Sequence, residues 1–140
     1  MSDYADALVV GNSQNEATDI GPVVSQAQLD RVSGYLDSGR DEGARTAAGG
    51  RRRVEGDLVN GYFVAPTVFA DVTDDMRIAQ EEIFGPVASV MPFDSVDEVS
   101  KRANLTKFGL GGGVWTRASC GPFSMPILPA AIARNMAHER

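Results

Sequence analysis

Val87-Ala88-Ser89-Val90-Met91-Pro92-Phe93 is a nearly unbroken apolar run of strand length, and the helix signal just beyond it decides the fold class. Two residues on, Ser95 and Glu98 have the S-x-x-E spacing of a capping box, in which each side chain satisfies a backbone N–H at a helix start. The spacing predicts a helix from Ser95 through about Asn104. Lys107, Phe108 and Gly109 then read as a loop, and Val114-Trp115-Thr116 as a further strand. Strand, helix and strand joined by short loops predict a right-handed crossover and a parallel pair. The class is therefore α/β: a partial three-layer parallel sheet with flanking helices.

Working back toward the N-terminus, Thr73 to Gln80 reads as a helical turn or short helix, with Asp74 and Asp75 at its positive end. Tyr62-Phe63-Val64 and Thr67-Val68-Phe69 are aromatic and β-branched, which favours extended chain. Pro66 between them argues against one unbroken central strand. Residues 51 to 61 read as a polar loop, and Ala44 to Ala48 as a short strand ended by Gly49-Gly50. Before that strand stands the clearest helix. Ser25 and Gln28 fit a capping box, and Leu29, Val32, Tyr35 and Leu36 follow as one apolar stripe. Asp30, Arg31, Asp37 and Arg40 are placed to face water, and Gly39 and Gly43 are candidate stops. Residues 1 to 24 read as loop, with Ala7-Leu8-Val9-Val10 either a short strand or a packed leader.

Composition excludes several classes. The chain has 140 residues, 13 basic and 19 acidic, for a formal charge of −6. Such a length suits one domain, burying roughly two thirds of its unfolded surface if compact. A negative chain gains nothing by neutralising phosphates, so no nucleic-acid partner is expected. The one basic run, Arg51-Arg52-Arg53, reads as a solvated loop. No apolar stretch approaches the about 20 residues that span a bilayer, so no membrane role is expected. The start carries no basic n-region, and the single cysteine, Cys120, has no internal disulfide partner; both favour a reducing, cytoplasmic compartment. With one cysteine and one histidine, His138, no metal site and no Ser-His-Asp triad is expected.

Three segments remain as candidates for chemistry. Gly109-Leu110-Gly111-Gly112-Gly113 enters a strand rather than a helix, with Val114 where a dinucleotide fingerprint needs its last glycine; it reads as a turn with close backbone packing. Cys120 has only Arg117 as a charged neighbour to lower its pKa and reads as an ordinary thiol. Glu81-Glu82-Ile83-Phe84-Gly85-Pro86-Val87 is more informative. Its paired carboxylates suit either solvation before a turn or acceptance of hydrogen bonds from sugar hydroxyls.

An ordered series of motifs gives the last segment a context. Thr18-Asp19-Ile20-Gly21-Pro22-Val23-Val24 is followed by Gly34-Tyr35-Leu36, Glu42-Gly43-Ala44 and Gly49-Gly50. Then come Gly61 to Phe69, reading GYFVAPTVF, the EEIFGPV segment, Ala103-Asn104 and the stretch 109–116 ending V-W-T. In this order they resemble the NAD(P)-dependent aldehyde dehydrogenase superfamily, over about residues 7–117 of a partial catalytic domain. The resemblance implies cofactor-binding roles, with NAD or NADP as the cofactor. Glu82 would hydrogen-bond the nicotinamide ribose and Phe84 would pack near the nicotinamide end. Gln28 and Arg31 match a helix that approaches the adenosine end in some members.

The resemblance also implies what is missing from these residues. Family chemistry uses a cysteine thiolate that attacks the aldehyde, and a glutamate that activates water against the thioester. The G-Q-x-C-like and E-L-G-G-K-like motifs that carry them do not occur, nor does the phosphate-binding Rossmann segment. Cys120 falls downstream of EEIFGPV and cannot inherit the role, so no catalytic residue is assigned. Residues 118–140 form a non-matching, proline-rich tail with Pro122, Pro126 and Pro129, the pattern that a frameshift or truncation leaves; residues 130 to 137 suit a brief helix. The expectation is a family segment inactive alone, a noncatalytic fragment pairing with a complete relative, or half of a split enzyme. Open sheet edges favour a homo-oligomer or association with a complete aldehyde dehydrogenase.

Overall fold

The computed structural model describes residues 1–105 and, beyond them, the backbone of two strands, Gly113–Trp115 and Arg134–Met136. Gly109 to Gly112, Cys120 and His138 lie outside the described residues.

In chain order the elements are α1 (Ser2–Ala7), α2 (Gln26–Asp41), β1 (Arg45–Ala48), a 3-10 turn (Gly56–Asn60) and β2 (Thr67–Ala70). They continue with α3 (Arg77–Gln80), β3 (Val87–Ser89), α4 (Val96–Ala103), β4 (Gly113–Trp115) and β5 (Arg134–Met136). The main sheet has the order β1-β2-β3. β2 and β3 are parallel, with Thr67 opposite Val87 and Phe69 opposite Ser89, while β1 runs antiparallel to β2. The α/β class with helices on both faces holds, with an antiparallel strand added at one edge.

Adjacent residues of β2 explain the layers, because successive side chains of a strand point to opposite faces. Phe69, fully buried, joins Leu29, Val32, Tyr35 and Leu36 of α2, Ile78 of α3 and Ala103 of α4 in the main core. Val68 faces the other way, onto Ala48 and Ala5 of α1.

The caps formed where the spacing places them. Ser25 Oγ accepts from the Gln28 N–H at 3.2 Å, and Ser95 Oγ accepts from the Glu98 N–H at 3.2 Å. Glu98 reaches back to the Asp94 N–H at 2.8 Å. α2 ends at Gly43, whose φ of +96° suits a residue without a Cβ. There the Ala44 N–H bonds the Gly39 carbonyl at 2.8 Å and the Gly43 N–H bonds that of Arg40 at 3.0 Å, which satisfies two end carbonyls. Gly39, the other candidate stop, lies inside the helix: a Cβ there would stand 3.0 Å from the Phe69 ring, so its bareness seats α2 on the sheet.

Four expectations are corrected. The 87–93 run forms a strand only over Val87–Ser89, with Val90 bonded back to Phe69. It pairs with β2 rather than with the 113–115 strand, which pairs in parallel with β5 in a separate two-stranded sheet. The crossover that makes the main parallel pair is therefore the one through α3, and Pro66 just precedes β2, where its missing donor costs no ladder bond. Residues 134–136 are strand instead of helix, because β4 supplies the ladder partners. The first residues are helical: α1 buries Ala5 on the sheet, and Val10 beyond it bridges Ile20.

Candidate functional site

The EEIFGPV segment forms the turn between α3 and β3, and α2 is the surface it rests on. Gly85 makes the contact: a Cβ there would lie 2.7 Å from Val32 Cγ2. Ile83 is buried in the main core, whereas the Phe84 ring beside it is 65% exposed. Phe84 has φ +53°, the left-handed region that costs a non-glycine residue about 1–2 kcal/mol. The Gln28 side chain meets this bend directly. Its Nε2 donates to the Ile83 carbonyl at 3.1 Å and to the Phe84 carbonyl at 3.0 Å. The Ser25 cap is one-sided, since Gln28 Oε1 takes no bond from the Ser25 N–H, and the Gln28 Nε2 is spent on the turn. On the far side, the Thr67 N–H bonds the Pro86 carbonyl at 2.8 Å and starts the β2–β3 ladder.

The two glutamates have separate fates. Glu81 Oε2 accepts from the Tyr35 hydroxyl at 2.7 Å and from Arg77 Nε at 3.1 Å. The Arg77 guanidinium also lies over the Tyr35 ring, 4.3 Å from its centroid. The bond to Glu81 raises the Arg77 pKa above its ordinary value. Glu82 is half-buried and, among the described residues, has no hydrogen bond or ion pair. Its carboxylate oxygens keep their full acceptor capacity.

Arg31 is exposed one turn beyond Gln28, with its guanidinium 5.9 Å from the Tyr35 ring. The structure thus gathers Gln28, Glu82 and Phe84 at one junction of α2 and the turn, with Arg31 along the same helix. Tyr35 and Arg77 are the participants that sequence reasoning missed. Tyr35 reads as one more member of an apolar stripe, and the partner of its hydroxyl lies 46 residues away, at Glu81. The basic loop is internally paired: Arg53 bonds Glu55 at 2.9 Å, and Arg52 bonds the Gly61 carbonyl at 3.2 Å. On the opposite face of the sheet, a groove of about 360 Å³ is lined by Tyr4, Leu8, Ile20, Val68 and Pro86. Among the described residues, no helix is long and apolar enough to cross a membrane.

The chain that carries this pinned turn, with its unpartnered carboxylate and exposed ring, is similar to known proteins in sequence and in fold. The profile of the aldehyde dehydrogenase family matches residues 1–120, and the chain belongs to that family. It is 56% identical over 113 residues to a betaine aldehyde dehydrogenase of Rhizobium etli, a match covering 79% of this chain and 23% of the relative. Among solved structures, an aldehyde dehydrogenase of Mycobacterium tuberculosis complexed with NAD+ superposes with a TM-score of 0.79 at 40% identity, over 99% of this chain and 28% of that one. An NAD+ complex of the Bacillus cereus aldehyde dehydrogenase gives 0.74 at 49% identity, over 83% and 23%. The chain therefore spans about a quarter of the length of the relatives it matches.

Proposed function

We propose that this chain is the part of an NAD(P)-dependent aldehyde dehydrogenase that grips the nicotinamide ribose, and that by itself it does not turn over an aldehyde. The observation that carries the reading is the divergence of the two glutamates: Tyr35 and Arg77 occupy Glu81, while Glu82 keeps its oxygens open beside an exposed Phe84. A carboxylate with two free oxygens suits a vicinal diol, and an exposed ring suits one wall of a flat heterocycle. That acceptor and apolar wall fit the dinucleotide, which when bound supplies a hydride acceptor. Glu82 would hold the ribose hydroxyls and Phe84 would keep water from one side of the ring. Arg31 would approach the adenosine end, and Gln28 retains its Oε1 as an acceptor there. The thiolate and the water-activating glutamate would come from elsewhere, so no covalent intermediate forms on this chain. Residues 7–117 are read as the catalytic-domain segment and 118–140 as a separate tail, in a cytoplasmic protein.

Half-molecules of the cofactor test this reading. Nicotinamide mononucleotide is expected to shift the NMR signals of Glu82 and Phe84, and AMP those of Arg31. Purified chain with NAD+ and betaine aldehyde is expected to give no NADH absorbance. Silence toward both nucleotides at millimolar concentration, or steady NADH production, would overturn the reading. The apolar groove on the second face favours one further role, pairing with a complete relative; co-purification with a full-length aldehyde dehydrogenase checks it.

A further inference from the structure

We infer that Gln28 is a positioning residue: it holds Phe84 in its left-handed backbone conformation and so sets where Glu82 and the Phe84 ring point. The inference deepens the ribose-binding reading and rests on it for its consequence, though not for its geometry. One primary amide carries two hydrogens, and both are used. Nε2 donates to the Ile83 carbonyl at 3.1 Å and to the Phe84 carbonyl at 3.0 Å. Two successive carbonyls converge on one donor only if the chain bends between them, and the bend is at Phe84, with φ +53°. Nothing local favours that conformation at a phenylalanine. Gly85 allows the turn to lie against Val32, but it does not set the torsion of its neighbour. Gln28 is itself anchored, since its backbone N–H bonds Ser25 Oγ at 3.2 Å in the first turn of α2. The helix start therefore transmits its position to the turn through one side chain. With both amide hydrogens engaged, Gln28 has no donor left for a ligand. Its contribution to nucleotide binding is indirect, beyond what the acceptor Oε1 offers.

The test uses the full chain, isotopically labelled and free of nucleotide. A residue in the left-handed region gives a strong NOE between its own amide and Hα protons. Wild type is expected to show it at Phe84, and to exchange the Gln28 side-chain amide protons more slowly than those of exposed Gln14. In Gln28→Met, which fills similar space without donors, the Phe84 NOE is expected to be lost and the Ile83 and Phe84 carbonyl carbons to shift. The Phe69 and Val32 core signals should stay in place. Persistence of the Phe84 NOE in a folded Gln28→Met would overturn the proposal. If that variant does not fold, the wild-type exchange decides: amide protons as fast as those of Gln14 would overturn it, and protected ones would support it. The same shifts are readable by magic-angle spinning if the chain assembles. Nicotinamide mononucleotide added afterwards separates the two ideas. Loss of its effect at Glu82 in Gln28→Met supports positioning, whereas silence in wild type sinks the ribose reading and leaves the turn geometry standing.

Discussion

Glu81 and Glu82 are chemically identical neighbours, and the fold gives them opposite tasks. Tyr35 is 1% exposed, and its hydroxyl bonds Glu81 at 2.7 Å. Removing that acceptor leaves a buried donor unpaired, a loss of about 1–3 kcal/mol. Glu81→Ala is therefore expected to lower the unfolding free energy by that amount, read as a lower urea midpoint at unchanged slope. Glu82→Ala removes no partner among the described residues and is expected to stay within about 0.5 kcal/mol of wild type. Equal losses in the two variants would refute the division of labour. Sequence alone named Glu82 and Phe84 through the EEIFGPV motif. It did not reveal that Gln28 spends its amide on the Ile83 and Phe84 carbonyls, because the capping-box spacing explained Gln28 without any distant partner.

At the scale of elements, α4 shows how a cap becomes a pH dependence. Glu98 accepts from the Asp94 N–H at 2.8 Å and from Arg102 at 2.9 Å. These bonds, the first foremost, hold its carboxyl below the ordinary value of 4.5. Arg102 also ties the helix to two loops, bonding Asp74 ahead of α3 at 2.9 Å and the Pro92 carbonyl ahead of α4 at 2.7 Å. Burial opposes the Arg102 cation, yet its acidic partners outweigh burial and raise its pKa. The sign for Glu98 comes from linkage: a depressed folded pKa means that the folded state binds fewer protons than the unfolded one. The stabilisation is full above the ordinary carboxyl value and is lost as pH falls through the lowered one. Glu98→Gln is expected to flatten the acid limb of a stability-versus-pH curve at α4, read by amide exchange of Val99 and Ser100. An unchanged acid limb would show that the cap carries no charge-dependent stability.

For the whole molecule, the decisive features are edges and faces. Among the described residues β1 and β3 lie at the edges of the main sheet, and the face under α1 carries the groove lined by Tyr4, Leu8, Ile20 and Val68. Unpaired strand edges beside apolar surface template association with other chains. The chain is expected to self-associate, or to bind a complete family member, in light scattering across micromolar concentrations. A monodisperse monomer with a single cooperative melt would count against this.

The helix starts at Ser25 and Ser95, the buried stripe Leu29, Val32, Tyr35 and Leu36, the α/β class and the family are all legible in the order of residues. Each of these is written in residues a turn or two apart, or in an ordered set of short motifs. The pairing of β3 with β2, the strand at residues 134–136 and the hold of Gln28 on the turn emerge in the folded chain. The bonds involved join positions far apart in the chain, 55 and 56 residues for Gln28. A cap or a stripe satisfies backbone and apolar groups within its own helix, so spacing records it. A strand edge or a side-chain amide takes whichever partner folding brings within reach, and no local period records that choice.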